Sequence, residues 1–189
     1  MSTKNIMIVG VGGQGTLLAS RILGNAVIRK GYDVKVSEVH GMSQRGGSVV
    51  TYVKFGDAVH SPIIDKGEAD IILAFECLEA YRALPWLKKG GKMIVNDQKI
   101  NPMPVITGAA EYPADILTKL SSVVDLTAVD ALSFAREAGN AKAVNVVLIG
   151  VMAKNTEIPY GDWVETIKTT VPAKFLEANL KAFDLGYNL

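Results

Sequence analysis

An apolar strand that runs straight into a glycine-rich turn, and from there into an amphipathic helix, constrains this chain more than any other feature. Ile6-Met7-Ile8-Val9 follows Asn5 without interruption and stops at Gly10-Val11-Gly12-Gly13-Gln14-Gly15. An unalternating apolar run of this kind suits a strand covered on both faces. Beyond the turn, Leu17, Leu18, Ile22, Ala26 and Ile28 recur at helical spacing as far as Gly31, a natural C-terminal stop. Residues 32–36 read as a second strand. Strand, glycine turn, helix and strand in that order open a doubly wound α/β sheet.

The rest of the chain extends this pattern. Residues 48–55 are β-branched, partly alternating, and end at Gly56-Asp57. Further strands are predicted at 69–75, at 92–95 after Gly90-Gly91, and at 123–126. Helices are predicted at 76–84, 129–138, 143–154, 160–169 and 173–183. The proline-rich stretch 101–113 is too short to divide the chain. A length of 189 residues suits one well-buried unit. The expectation is a single domain over 1–189, of α/β class and Rossmann-like, with a mostly parallel sheet flanked by helices.

Composition removes several functions. The formal net charge is +1, with no clustered basic run, so a dedicated nucleic-acid binder is not expected. The longest apolar stretch, 144–153, falls well short of the roughly 20 residues of a membrane span. The first residues lack the apolar core of a secretion signal. A cytoplasmic protein is expected. One cysteine, Cys77, excludes an internal disulfide and an iron–sulfur cluster held by this chain alone. With only His40 and His60 beside it, a metal centre is not expected either. Cys77 reads as a small buried hydrophobe, with a helix-terminus thiolate as the alternative.

Function points instead to the glycines. Gly10, Gly12 and Gly15 have G-x-G-x-x-G spacing between a strand and a helix, where backbone amides meet a pyrophosphate. Glu38, near the end of the second strand, is placed to bond a ribose hydroxyl. Against a dinucleotide, Gln14 occupies the tip of the turn. Too few residues separate the second and third strands for a parallel crossover, which takes a dozen or more. Binding of NAD or FAD by a free-standing oxidoreductase, a regulatory Rossmann-like module, and mere close packing of strand on helix all remain open. A second loop follows, Gly41-Met42-Ser43-Gln44-Arg45-Gly46-Gly47. There Arg45 offers a planar, permanently charged fork for phosphate or carboxylate, or pairs internally with Glu38. Met42 and His40 read as structural. Asn145, inside an apolar helix, is expected to satisfy a buried backbone group, since an unpaired amide there is costly. Trp86 and Trp163 suit an interface or the core equally, and Lys88-Lys89 reads as a solvated helix end.

The two glycine motifs at this spacing resemble the gamma subunit, or domain, of 2-oxoacid:ferredoxin oxidoreductases. Within that family the likeness is strongest to the small (beta) subunit of the indolepyruvate-specific enzymes. It covers essentially the whole chain, including Asp70-Ile71-Ile72-Leu73-Ala74-Phe75-Glu76. The resemblance implies the fold of domain III of pyruvate:ferredoxin oxidoreductases. It also implies a share in a complex that converts a 2-oxoacid and coenzyme A to acyl-CoA, carbon dioxide and reduced ferredoxin. Thiamine diphosphate, Mg²⁺ and iron–sulfur clusters would belong to a large partner subunit, and ferredoxin would be met only indirectly. This chain would bind no cofactor alone. Gly10, Gly12, Gly13, Gln14, Gly15, Ser43, Gln44, Arg45, Gly46 and Gly47 would be the cofactor-binding residues, with the 40–48 loop projecting toward the partner and helping to form the coenzyme A or active-site entrance. No residue of the chain is assigned as catalytic. In isolation it would be able to pair with itself through the face its partner covers.

Overall fold

The computed structural model describes residues 3–41 and 46–189. Six strands form one sheet in the order β2-β3-β1-β4-β5-β6. They are β1 (Lys4–Val11), β2 (Asp33–His40), β3 (Ser48–Gly56), β4 (Ala69–Ala74), β5 (Leu87–Asn96) and β6 (Asp125–Val129). β1, β4, β5 and β6 pair in parallel. β3 runs antiparallel to both β1 and β2, because the short β2–β3 connection allows a return strand but no crossover.

Eight α-helices lie among the described residues: α1 (Thr16–Arg29), α2 (Cys77–Ala83), α3 (Met103–Ile106), α4 (Ile116–Ser121), α5 (Ala131–Glu137), α6 (Val144–Ala153), α7 (Tyr160–Thr170) and α8 (Leu176–Tyr187). The two-residue alternation of β1 assigns them to faces. Ile6 and Ile8 pack with α1 and α5–α8, together with Val53, Leu73 and Ile94. Met7 and Val9 pack with α2 and α4, together with Ile72, Met93 and Val95. The central strands thus bury both faces, as their unalternating sequence requires.

α6 and α8 cross at glycines. A Cβ on Gly150 would lie 2.3 Å from the Phe183 carbonyl oxygen, and one on Gly186 would lie 2.1 Å from that of Val147. Trp163 on α7 is fully buried against Phe183, so it is a core residue. Trp86 is half-buried, with the Lys66 ammonium 5.4 Å above its ring.

Several predicted boundaries differ. β5 starts at Leu87, so Lys88-Lys89 and Gly90-Gly91 lie inside a strand rather than at a helix end and before it. The β4–β5 register shifts between Ala69 and Ile71, and a Cβ on Gly91 there would be crowded, 3.0 Å from the carbonyl oxygens of Ala69 and Asp70. β6 starts at Asp125, two residues later than predicted, and α5 starts at Ala131. α3 lies within the proline-rich stretch 101–113 and α4 follows it; neither is among the predicted helices.

Candidate functional site

The two glycine loops meet because of strand register. β1 and β3 pair from Lys4↔Phe55 to Val11↔Ser48. Continuing the same register places Gly12 opposite Gly47. There the Gly12 N–H donates to the Gly47 carbonyl at 2.8 Å, and the Gly46 N–H donates to the Gly12 carbonyl at 3.3 Å. The result is a backbone ledge at the C-terminal end of β1. Ser43, Gln44 and Arg45, with Met42 and the Arg45–Glu38 pairing, lie outside the described residues.

The glycines of the first turn divide by role. Gly10 is packed: a Cβ would sit 2.9 Å from Gln14 Oε1 and 3.0 Å from Phe75 Cβ. Gly15 has φ +84° and would drive a Cβ to 2.7 Å from Asn145 Nδ2. That amide donates to the Gly15 carbonyl at 3.3 Å, while Asn145 Oδ1 accepts from the Val146 N–H. Asn145 therefore satisfies a backbone carbonyl at the glycine turn, as its sequence position implies. Gly13, at φ +101°, has nothing within 4 Å of where a Cβ would be. Its backbone faces open space.

β1 and β4 flank the point where chain connections leave in opposite directions, the usual ligand crevice of doubly wound sheets. Gln14 lies across it. Its Oε1 accepts from the Val11 N–H at 2.7 Å, and its Nε2 donates to the Phe75 carbonyl at 2.9 Å and to Gln98 Oε1 at 3.1 Å. Asn96 reinforces this latch, donating to the Phe75 carbonyl and to Gln98 Oε1 and accepting from the Ala131 N–H. Three carboxamides thus tie together the ends of β1, β4 and β5 and the start of α5. The side chain of Gln14 is committed to the fold.

Glu38 is not beside β1. β3 intervenes, which sets β2 two strand spacings away, about 9–10 Å. Glu38 accepts from Thr51 Oγ1 at 3.3 Å. It shares with His40, Gly12, Gly13, Gly15 and Leu17 an open groove of about 420 Å³. On the other side of the turn, Gln98, Lys142, Leu132 and Val144 line a second groove of about 550 Å³.

A polar cluster beyond β4 escaped the sequence reading. Glu76 is 1% exposed and caps α2. Its oxygens accept from the Glu79 N–H at 2.9 Å, the Ile100 N–H at 3.1 Å and the Tyr112 hydroxyl. Burial, then the Glu76 hydrogen bond, push the Tyr112 phenol far above its ordinary range, so it stays protonated. Burial likewise raises the Cys77 thiol, so it is no helix-terminus thiolate. The signal lay in Glu76 itself, an acceptor side chain standing directly after a buried strand and before a helix, where unpaired N–H donors need a partner.

Comparison with known proteins agrees with this architecture. The family model for pyruvate ferredoxin/flavodoxin oxidoreductase matches residues 5–189. The chain is 45% identical to the indolepyruvate oxidoreductase subunit IorB of Pyrococcus horikoshii, over 98% of this chain and 95% of that one. It is 29% identical to the common gamma subunit of the pyruvate/ketoisovalerate oxidoreductases of Thermococcus kodakarensis, over 95% and 92%. Among solved structures, the gamma subunit of a keto/oxoacid ferredoxin oxidoreductase from Geobacter sulfurreducens superposes with a TM-score of 0.73 at 25% identity, covering 98% and 96%. The shared sequence runs from the first residues of β1 through α8, and the chain belongs to the pyruvate ferredoxin/flavodoxin oxidoreductase family.

Proposed function

We propose that this chain is the small accessory subunit, one domain over 1–189, of a thiamine diphosphate-dependent 2-oxoacid:ferredoxin oxidoreductase acting on indolepyruvate or a similar arylpyruvate. The observation that carries the reading is the 45% identity to an IorB subunit across almost the whole of both chains. The enzyme's products are an acyl-CoA, carbon dioxide and reduced ferredoxin. Thiamine diphosphate, Mg²⁺ and the iron–sulfur clusters sit on a larger partner. A lone cysteine is too few for a cluster, which takes four such ligands or, in the Rieske type, two with two histidines.

In this reading the joined glycine ledge meets the partner. Gly12, Gly13, Gly46 and Gly47 bring backbone without side chains to that surface, and Ser43, Gln44 and Arg45 add donors. Arg45 takes a phosphate of coenzyme A or an acidic residue of the partner. Gly10, Gly15 and Gln14 act behind it, holding the ledge in place. Replacing Arg45 with Ala is expected to raise the KM for coenzyme A or to weaken assembly. If neither changes in the reconstituted enzyme, Arg45 has no such role. The whole reading is tested by acyl-CoA formation under anaerobic conditions, with the large subunit assayed with and without this chain. Turnover by this chain alone would refute it.

A free-standing NAD- or FAD-binding module is the second reading. It is disfavoured by Gln14 lying across the crevice and by β3 standing between β1 and the acid on β2. Saturable NAD or FAD binding by the isolated chain would reinstate it.

A further inference from the structure

Met103 and Ile106 are 66% and 64% exposed, one helical turn apart on α3. Pro102 caps that turn and Pro104 stiffens it, while Thr107 Oγ1 closes it on the carbonyls of Met103 and Pro104 at 3.0 and 3.3 Å. The turn's backbone is already ordered and has little freedom left to lose on binding, which favours its apolar side chains as interface anchors. They form one wall of a groove of about 380 Å³, with Gly47, Ser48, Leu78 and Arg82 among its other lining residues.

The charges in this groove are unevenly placed. The Glu79 side chain is only 6% exposed, and its two oxygens take Ser48 Oγ and Arg82 Nη1, each at 2.5 Å. The Arg82 side chain is 51% exposed and commits only that nitrogen to Glu79, which leaves most of its five donors unused by that carboxylate. The anion is sunk and the cation faces out. An apolar wall with a positive lip is complemented by an apolar side chain standing beside a carboxylate. A second copy of this chain meets that requirement poorly, because a two-fold contact needs one patch to supply both signs, and among the described residues lining this groove the one carboxylate is the sunken Glu79.

We propose that this groove docks a segment of the large thiamine diphosphate subunit that presents an apolar residue next to an acidic one. The inference rests on the subunit assignment above, and the groove runs directly into Gly46 and Gly47 of the ledge. The test is the affinity of this chain for that large subunit, measured by interferometry for the wild type and for Ile106→Glu, Ile106→Lys and Val123→Glu. Val123 is equally exposed, at 66%, but lies at the opposite end of the sheet, before β6. Ile106→Glu is expected to weaken binding by about 30-fold or more, as loss of an interface anchor does. Ile106→Lys is expected to weaken it about tenfold less than Ile106→Glu, and Val123→Glu to leave it within about twofold of wild type. Wild-type affinity in Ile106→Glu, or equal losses for Glu and Lys, would overturn the docking site while leaving the subunit assignment standing. No binding by the wild type would overturn both. Because Ile106 is exposed, its variants should melt with the wild type, and circular dichroism checks this.

Discussion

Gly150→Ala is the sharpest test of how this fold is held. Gly150 lies in the interior of α6, where alanine gains about 1 kcal/mol of helix propensity over glycine. By local reasoning alone the substitution should stabilise. The tertiary structure reverses the sign. The added methyl would lie 2.3 Å from the Phe183 carbonyl oxygen and 2.8 Å from the Tyr187 nitrogen, against about 3.4 Å for ordinary contact. Both neighbours are backbone atoms of α8, so no rotamer change relieves the clash. The helices must separate by about 1.1 Å, and a gap of about 1 Å forfeits up to roughly half of each dispersion contact across the crossing. Overpacking of this kind costs about 1–3 kcal/mol, and the rigid obstacle places it at the upper end. Subtracting the propensity gain leaves a loss of about 2 kcal/mol, or a melting temperature lower by about 4–8 °C for a chain of this length. Gly161→Ala on α7 is the control, since nothing lies within 4 Å of the Cβ position there. It should melt at or slightly above the wild type. Thermal and urea unfolding read both. A Gly150→Ala protein as stable as the Gly161→Ala protein would refute the close crossing.

Two further outcomes follow from particular hydrogen bonds. Gln14→Ala removes the acceptor of the Val11 N–H and a donor to the Phe75 carbonyl, and should cost about 1–3 kcal/mol in urea unfolding; a loss below about 0.5 kcal/mol would mean that the carboxamide latch does not hold β1 to β4. Tyr160 donates to Asp184 at 2.5 Å, and that bond, then burial, raise its phenol to about 12. A group raised in the folded state stabilises fully below its unfolded value, about 10 for tyrosine, and loses that contribution as pH climbs through 12. Tyr160→Phe should therefore flatten the fall in stability between pH 10 and 12 relative to wild type, and identical slopes would refute the assignment.

The elements with a strong local period were legible in the sequence. β1, α1, β3, β4 and the helices from α5 onward stand within a few residues of where apolar spacing put them, and the short β2–β3 connection foretold a break in the dinucleotide layout. β5 was cut short because Lys88, Lys89, Gly90 and Gly91 have poor strand propensity, yet they pair with β4 through a shifted register. α3 was hidden by the prolines that in fact begin it, proline being tolerated at a helix's first turn.

The candidate site divides in the same way. Its residue types, the glycines of both loops and Asn145, could be named from the sequence, because a backbone held at positive φ or an amide in an apolar helix is a demand the residue itself announces. Which of them touch was decided elsewhere. Gly12 meets Gly47 only through the β1–β3 register, Gln14 reaches Phe75 and Gln98 across 61 and 84 residues, and the Gly150–Gly186 crossing needs two helices laid together. Alternation and helical periodicity are carried by neighbours along the chain, whereas these contacts join distant segments whose meeting depends on how every strand and helix packs at once.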